Sequence, residues 1–330
     1  MTFKGMRSVP VRFRIPVMLL AVMSVVAYQG CVRQQEFVPL KFPAVEVPVM
    51  YADDQAEAFV YLSEHFWDDF TDTSRHYPCD SSLVSGVKKG DVEQEFANFT
   101  AVLQAVDYRQ ARKAMARLFD RASACERADT SSNIFETVTE FAERYLYDPN
   151  SPLRDEDLYG VYAARMAGYD GISETEREAY AYDAQMCSLN EVGSRAANFV
   201  FSDASGRMHS LYGIDAEYTL LFFSNPGCNA CEEIISVLTD ALEVDSLIES
   251  GRLAVVNVYI DEDIAAWYDY MSLYPSAWYN GYDPNGIIRN DILYNVRAIP
   301  SLYVLDRDKT VLMKDAPDQR VFTFLASISG

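Results

Sequence analysis

Two cysteines, Cys228 and Cys231, stand three residues apart between a strand-like run and a long amphipathic helix, and this stretch limits the folds open to the chain. Before it comes Tyr218-Thr219-Leu220-Leu221-Phe222-Phe223, rich in aromatic residues and free of charge, which reads as a buried strand. After it, Ile234, Ile235, Leu238, Ala241, Leu242, Leu247 and Ile248 recur at helical spacing to about Glu249. The cysteines therefore open a helix that leaves a central strand. The unpaired N–H groups and partial positive charge of a helix N-terminus favour a thiolate at Cys228. Cys231 lies about one turn deeper, placed to resolve a mixed disulfide by thiol–disulfide exchange. A structural disulfide or plain buried thiols fit the same spacing. A zinc site needs a second ligand pair, and the chain has no second C-x-x-C; His76-x-x-Cys79 has no partner pair. Neither metal nor cofactor is expected.

The residues around this stretch continue an α/β pattern from 189 to 330. Asn198–Phe201, a turn over Asp203–Arg207 and Met208–Leu211 read as strand, turn, strand. Leu253–Ile260 is a buried strand and Asp261–Tyr270 the start of a helix. Ser301–Leu305, a turn over Asp306–Lys309 and Thr310–Met313 form a terminal hairpin, and Gln319–Ser327 a closing helix. Parallel strands joined by a helix give a right-handed crossover.

Residues 51–188 read as an all-α domain. Phe59, Leu62, Phe66 and Phe70 share a face, as do Phe96, Phe99, Leu103 and Val106, and Ile134, Val138, Phe141 and Tyr145. Ser173 and Glu176 form a capping box for the last helix. Asp72–Gly90 reads as a long surface loop, Arg154-Asp155-Glu156-Asp157 as a solvated cluster at a helix start, and His65 and His76 as packed or surface histidines. Cys125 reads as a buried inert thiol; Cys79, Cys125 and Cys187 leave three pairings open.

Residues 1–31 carry Lys4, Arg7, Arg12 and Arg14, then the short apolar run Val17–Ala27, then Gly30-Cys31, a targeting segment. Residues 32–50, with Pro39, Pro43 and Pro48, read as a tether. The net charge is −21, and removal of the leader's four bases makes it −25. Such a body argues against nucleic acid as a partner and against lying flat on anionic lipid.

With Cys228-Asn229-Ala230-Cys231 after a buried strand and Ala298-Ile299-Pro300-Ser301 before the terminal hairpin, residues 190–330 resemble a thioredoxin-fold domain of the periplasmic TlpA/ResA-like type found in Bacteroidetes lipoproteins. The helical region is similar to DUF5106. The start resembles a bacterial lipoprotein signal with Cys31 as the lipidated residue, although Tyr28 and Gln29 depart from that pattern.

The resemblance implies an α/β thioredoxin fold behind an all-α N-terminal domain. It implies a cis Pro300 against the cysteine pair, with Ile299 offering backbone groups to substrate. It also implies a lipid-anchored, periplasm-facing oxidoreductase of the cell envelope that reduces disulfides of exported proteins and is recharged by a membrane electron donor. Departures stand beside it. Gly227 replaces the usual Trp, and Phe222 and Ile234 occupy the positions of the buried acids, which leaves Asp261 as a candidate base for Cys231. A rival expectation is a binding or assembly lipoprotein whose disulfide is structural. A peroxidase would need Thr or Ser where Asn225 stands.

Overall fold

Every residue from Thr219 to Phe223 is buried, as is every residue of Leu253–Tyr259. Strands covered on both faces belong in the middle of a sheet with helices on either side. The structure, a computed structural model, describes residues 37–51 and 53–329, and it places these two strands so. The targeting segment, Cys31 and the first part of the expected tether lie outside the described residues.

The helical elements come first: α1 (Gln55–His65), a short hairpin of β1 (Leu83–Val84) and β2 (Val87–Lys88), then α2 (Lys89–Gln104), α3 (Tyr108–Ala128), α4 (Ile134–Phe141), α5 (Glu156–Ala167) and α6 (Glu174–Cys187). The sheet module follows with β3 (Val200–Asp203), β4 (Met208–Ser210), β5 (Tyr218–Phe223), α7 (Asn229–Asp240), α8 (Leu242–Glu249), β6 (Leu253–Tyr259), α9 (Ile264–Tyr270), β7 (Tyr279–Tyr282), α10 (Ile287–Asn290), β8 (Ser301–Asp306), β9 (Val311–Met313) and α11 (Asp318–Ile328). Among the described residues the large sheet has the order β4-β3-β7-β6-β5-β8-β9. β5 runs parallel to β6, with Phe222 beside Asn257, and antiparallel to β8, with Phe223 opposite Ser301. β7 adds a parallel strand on β6. No described helix is long and apolar enough to cross a membrane.

Alternation along the central strands sends side chains to two apolar layers. Leu221, Phe223, Val256, Val258 and Tyr303 pack on one face with Phe199 and Phe201. Leu220, Phe222, Val255 and Val304 pack on the other with Cys231, Ile234 and Leu238 of α7. The helical elements surround a third core built on Trp67, Phe96, Phe99, Met115, Phe141 and Tyr162.

The structure corrects several readings of the sequence. Asp72–Gly90 is not all surface loop. Ser85 and Gly86, both with positive φ, turn a two-stranded hairpin whose Val84 and Val87 enter the helical core. Leu40 and Phe42, in the expected tether, are bound to the body. The Leu40 N–H donates to Gly86 O at 2.9 Å, and Phe42 stacks on Phe70 with centroids 4.9 Å apart. The long helix after the cysteines breaks at Ala241, whose backbone is extended, so α7 and α8 are separate. β7, hidden by its Asn-Gly centre, was not foreseen.

The largest correction concerns Arg154-Asp155-Glu156-Asp157. The three acids are buried, not solvated, and they face bases of the sheet module. Lys314 Nζ donates to Asp157 Oδ1 at 2.9 Å and to Cys187 O at 2.5 Å, and lies 3.8 Å from Glu156 Oε2. Arg154 Nε and Nη2 each donate at 2.8 Å, to the carbonyls of Asp315 and Ala316. Arg320 lies 3.4 Å from Asp155. With Arg297 and Asp315, four bases meet four acids along this seam. Buried charges tolerate removal of a partner poorly, because the survivor keeps its desolvation penalty. Lys314→Met should therefore cost about 3–5 kcal/mol of stability, read from urea unfolding; an unchanged midpoint would mean the seam contributes nothing.

Candidate active site

β5 ends at Phe223, and residues 224–228 bring the chain round to the start of α7. Ser224 Oγ donates to Asn257 Oδ1 of β6, and Asn257 Nδ2 donates to Asn280 Oδ1 of β7 at 3.0 Å. Asn225 Nδ2 donates to Asp261 Oδ2 at 2.5 Å. Gly227 takes φ +70°, a left-handed value that glycine adopts without strain, which answers why the usual Trp is absent here.

Cys228 is the N-cap of α7, and its Sγ accepts the Cys231 N–H at 3.2 Å. That bond and the helix N-terminus both stabilise negative charge on this sulfur once the pair is reduced. Cys228 and Cys231 form a disulfide with Cα atoms 5.2 Å apart. Cys228 is half-buried, whereas Cys231 is buried among Phe222, Ile234 and Leu302. An incoming group therefore meets Cys228 first.

The loop before β8 closes the other side. The Ile299–Pro300 peptide is cis, and Ile299 O lies 4.0 Å from Cys228 Sγ. The structure thus brings Cys228, Cys231, Ile299 and Pro300 together. Among the described residues it does not pack a carboxylate into the apolar layer that holds Cys231. Asp261 is engaged by Arg289 and Asn225, and Glu232 accepts from Tyr270 Oη. The Ser224–Asn257–Asn280 chain and Tyr270 went unread in the sequence. The one available sign was Asn257, a polar residue inside an otherwise apolar strand.

The DUF5106 family model, a domain of unknown function, matches residues 21–190, just over half of the 330-residue chain. A solved thioredoxin-like protein from Bacteroides caccae ATCC 43185 is 31% identical, with a TM-score of 0.73 over 88% of this chain and 99% of its own. The chain belongs to the DUF5106 family and carries a thioredoxin-like module. The C-terminal domain of an uncharacterized protein from Bacteroides fragilis NCTC 9343 is 42% identical, covering 42% of this chain and 99% of its own at TM-score 0.41. The thioredoxin domain of a thiol-disulfide oxidoreductase from Bacteroides vulgatus is 18% identical, covering 42% of this chain and 99% of its own at TM-score 0.38. None of the curated proteins matches the chain.

In this DUF5106 protein the remaining cysteines among the described residues are not paired with one another. Cys79, Cys125 and Cys187 are free thiols. Burial pushes the thiols of Cys125 and Cys187 above the usual range, which keeps them protonated and unreactive.

The seam of buried charge lies directly behind the cis-proline loop. Asn295 Nδ2 donates to Glu156 Oε1, Arg297 Nη2 lies 3.2 Å from Asp315 Oδ2, and Ser301 Oγ donates to Asp315 Oδ1 at 2.7 Å. Burial pushes Glu156 up to about 7, against the pull of Lys314, and Asp315 pushes it in the same direction. The unfolded chain loses this proton near its ordinary value of 4.5. The folded protein therefore binds the extra proton between about 4.5 and 7, so Glu156 makes stability fall as pH rises through that window. Urea midpoints of the parent should drop more between pH 5 and pH 8 than those of Glu156→Gln. Asp155 and Asp315, also raised by burial, titrate in both proteins. Equal drops would show that Glu156 is not the titrating group.

Proposed function

We propose that this protein is a thiol–disulfide oxidoreductase of the cell envelope, lipid-anchored through Cys31, that reduces disulfides of exported proteins. The observation that carries this reading is the asymmetry of the pair: Cys228 accepts the Cys231 N–H at the helix start and faces Ile299 O, while Cys231 lies buried beneath it.

In the reduced protein, the Cys228 thiolate attacks one sulfur of a substrate disulfide. A mixed disulfide forms and the first substrate thiolate leaves. Cys231, deprotonated, then attacks the Cys228 sulfur, re-forming the Cys228–Cys231 bond and expelling the second substrate thiolate. The substrate gains two electrons, the pair loses two, and the protons from both cysteines end on the departing thiols. A membrane electron donor restores the dithiol. Ile299 O and the adjoining backbone edge accept the substrate main chain.

A second reading is favoured by one observation: Phe222 and Ile234 surround Cys231 where an acid would help remove its proton. In it the disulfide is structural and the protein binds or assembles partners.

Two measurements separate the readings. Cys228→Ser should abolish insulin reduction driven by dithiothreitol, and Cys231→Ser should accumulate mixed disulfides visible on non-reducing gels. The reduction potential of the couple should fall near thioredoxin's ~−270 mV. A value well below ~−300 mV with no exchange would instead support the structural bridge.

A further inference from the structure

The helical region touches the thioredoxin-like module at one place of obvious chemical interest, the loop that carries Ile299 and Pro300. Three of its residues are held from behind. Asn295 donates to Glu156, Arg297 reaches Tyr147 and Asp315, and Ser301 donates to Asp315. Two of those anchors, Glu156 and the Tyr147 carbonyl, belong to the helical region. Asp315 is itself tied to that region, since Arg154 Nε donates to its carbonyl at 2.8 Å.

Arg297 is the centre of this arrangement. Its Cζ lies over the Tyr147 ring, 4.1 Å from the centroid, while Nη1 donates to Tyr147 O and Nη2 lies 3.2 Å from Asp315 Oδ2. Its side chain is only 13% exposed. A planar fork that satisfies a ring, a carbonyl and a carboxylate together fixes its own backbone closely. Two residues on, Ile299 O stands 4.0 Å from Cys228 Sγ. A disulfide approaching that sulfur carries its own main chain along this carbonyl edge, so a small displacement of the loop changes how the substrate seats.

We propose that the helical region acts as a back-plate for substrate binding, with Arg297 as a positioning residue that holds the Ile299 backbone in register with Cys228. The region thus serves the exchange reaction without touching the substrate. This rests on the oxidoreductase reading, and the substrate is a disulfide-bonded polypeptide docked by its main chain.

The test is steady-state reduction of insulin by the full chain with dithiothreitol as donor. Arg297→Met should raise KM for insulin about tenfold and leave kcat within about twofold. Should that variant fail to fold, Tyr147→Leu, made wholly within the helical region, should raise KM in the same way, and Tyr147→Phe, which keeps the ring, should restore it. A merely structural role would lower the unfolding midpoint without splitting KM from kcat. An unchanged KM in a folded Arg297→Met or Tyr147→Leu variant overturns the back-plate alone. If the parent disulfide is not reduced by dithiothreitol, a reagent too small to need docking, the oxidoreductase reading falls and the back-plate with it.

Discussion

The contact between Lys314 and Asp157 governs how this molecule is assembled. An ammonium and a carboxylate, each almost wholly removed from water, are tolerable only in each other's company. The residues of this pair lie 157 positions apart, so the contact ties the first turn of α5 to the residue that follows β9. Asp155, Glu156 and Asp157 also occupy the start of α5, where the helix N-terminus favours negative charge. The same acids therefore serve α5 locally and the sheet module at long range.

The redox pair shows the opposite division of labour. Cys228 sits half-buried at the helix start, at the edge of an apolar layer, with the Cys231 N–H and Ile299 O beside its sulfur. Cys231 sits in hydrocarbon, packed with Phe222, Ile234 and Leu302. Nearby, buried polar side chains satisfy one another: Ser224 bonds Asn257, and Asn257 bonds Asn280. The loop leading into α7 is thereby held at Ser224 by neutral groups and at Asn225 by the Asp261 carboxylate.

Much of the sheet module was legible because its signals are local. A charge-free run of six residues, a cysteine pair and an amphipathic helix stand side by side in the sequence, and Pro300 precedes an evident hairpin. What escaped was decided by distant partners. Nothing around Arg154–Asp157 distinguishes a solvated acidic cluster from a buried one, because Lys314, Arg297 and Arg320 enter only through the fold. The Leu83–Lys88 hairpin was masked by the Ser, Asp and Gly around it, although Val84 and Val87 supply core. The stretch through Leu40 and Phe42 is prolines and short apolar words, and its place is set by Phe66, Trp67 and Phe70, on which Phe42 packs.

Arg154 donates to the carbonyls of Asp315 and Ala316 and lies 3.8 Å from Asp315 Oδ2, whereas Asp155, Glu156 and Asp157 face Arg320, Arg297 and Lys314. A carbonyl is present whatever residue occupies its position, but a carboxylate must be encoded. Recombination that joined this helical region to a different thioredoxin-like module would keep the Arg154 bonds to carbonyls, provided the backbone matched, and leave Asp155, Glu156 and Asp157 buried without counter-ions. An exchange of modules would therefore have to carry both sides of the ionic set or neither, because an acid moved without its base keeps its desolvation penalty.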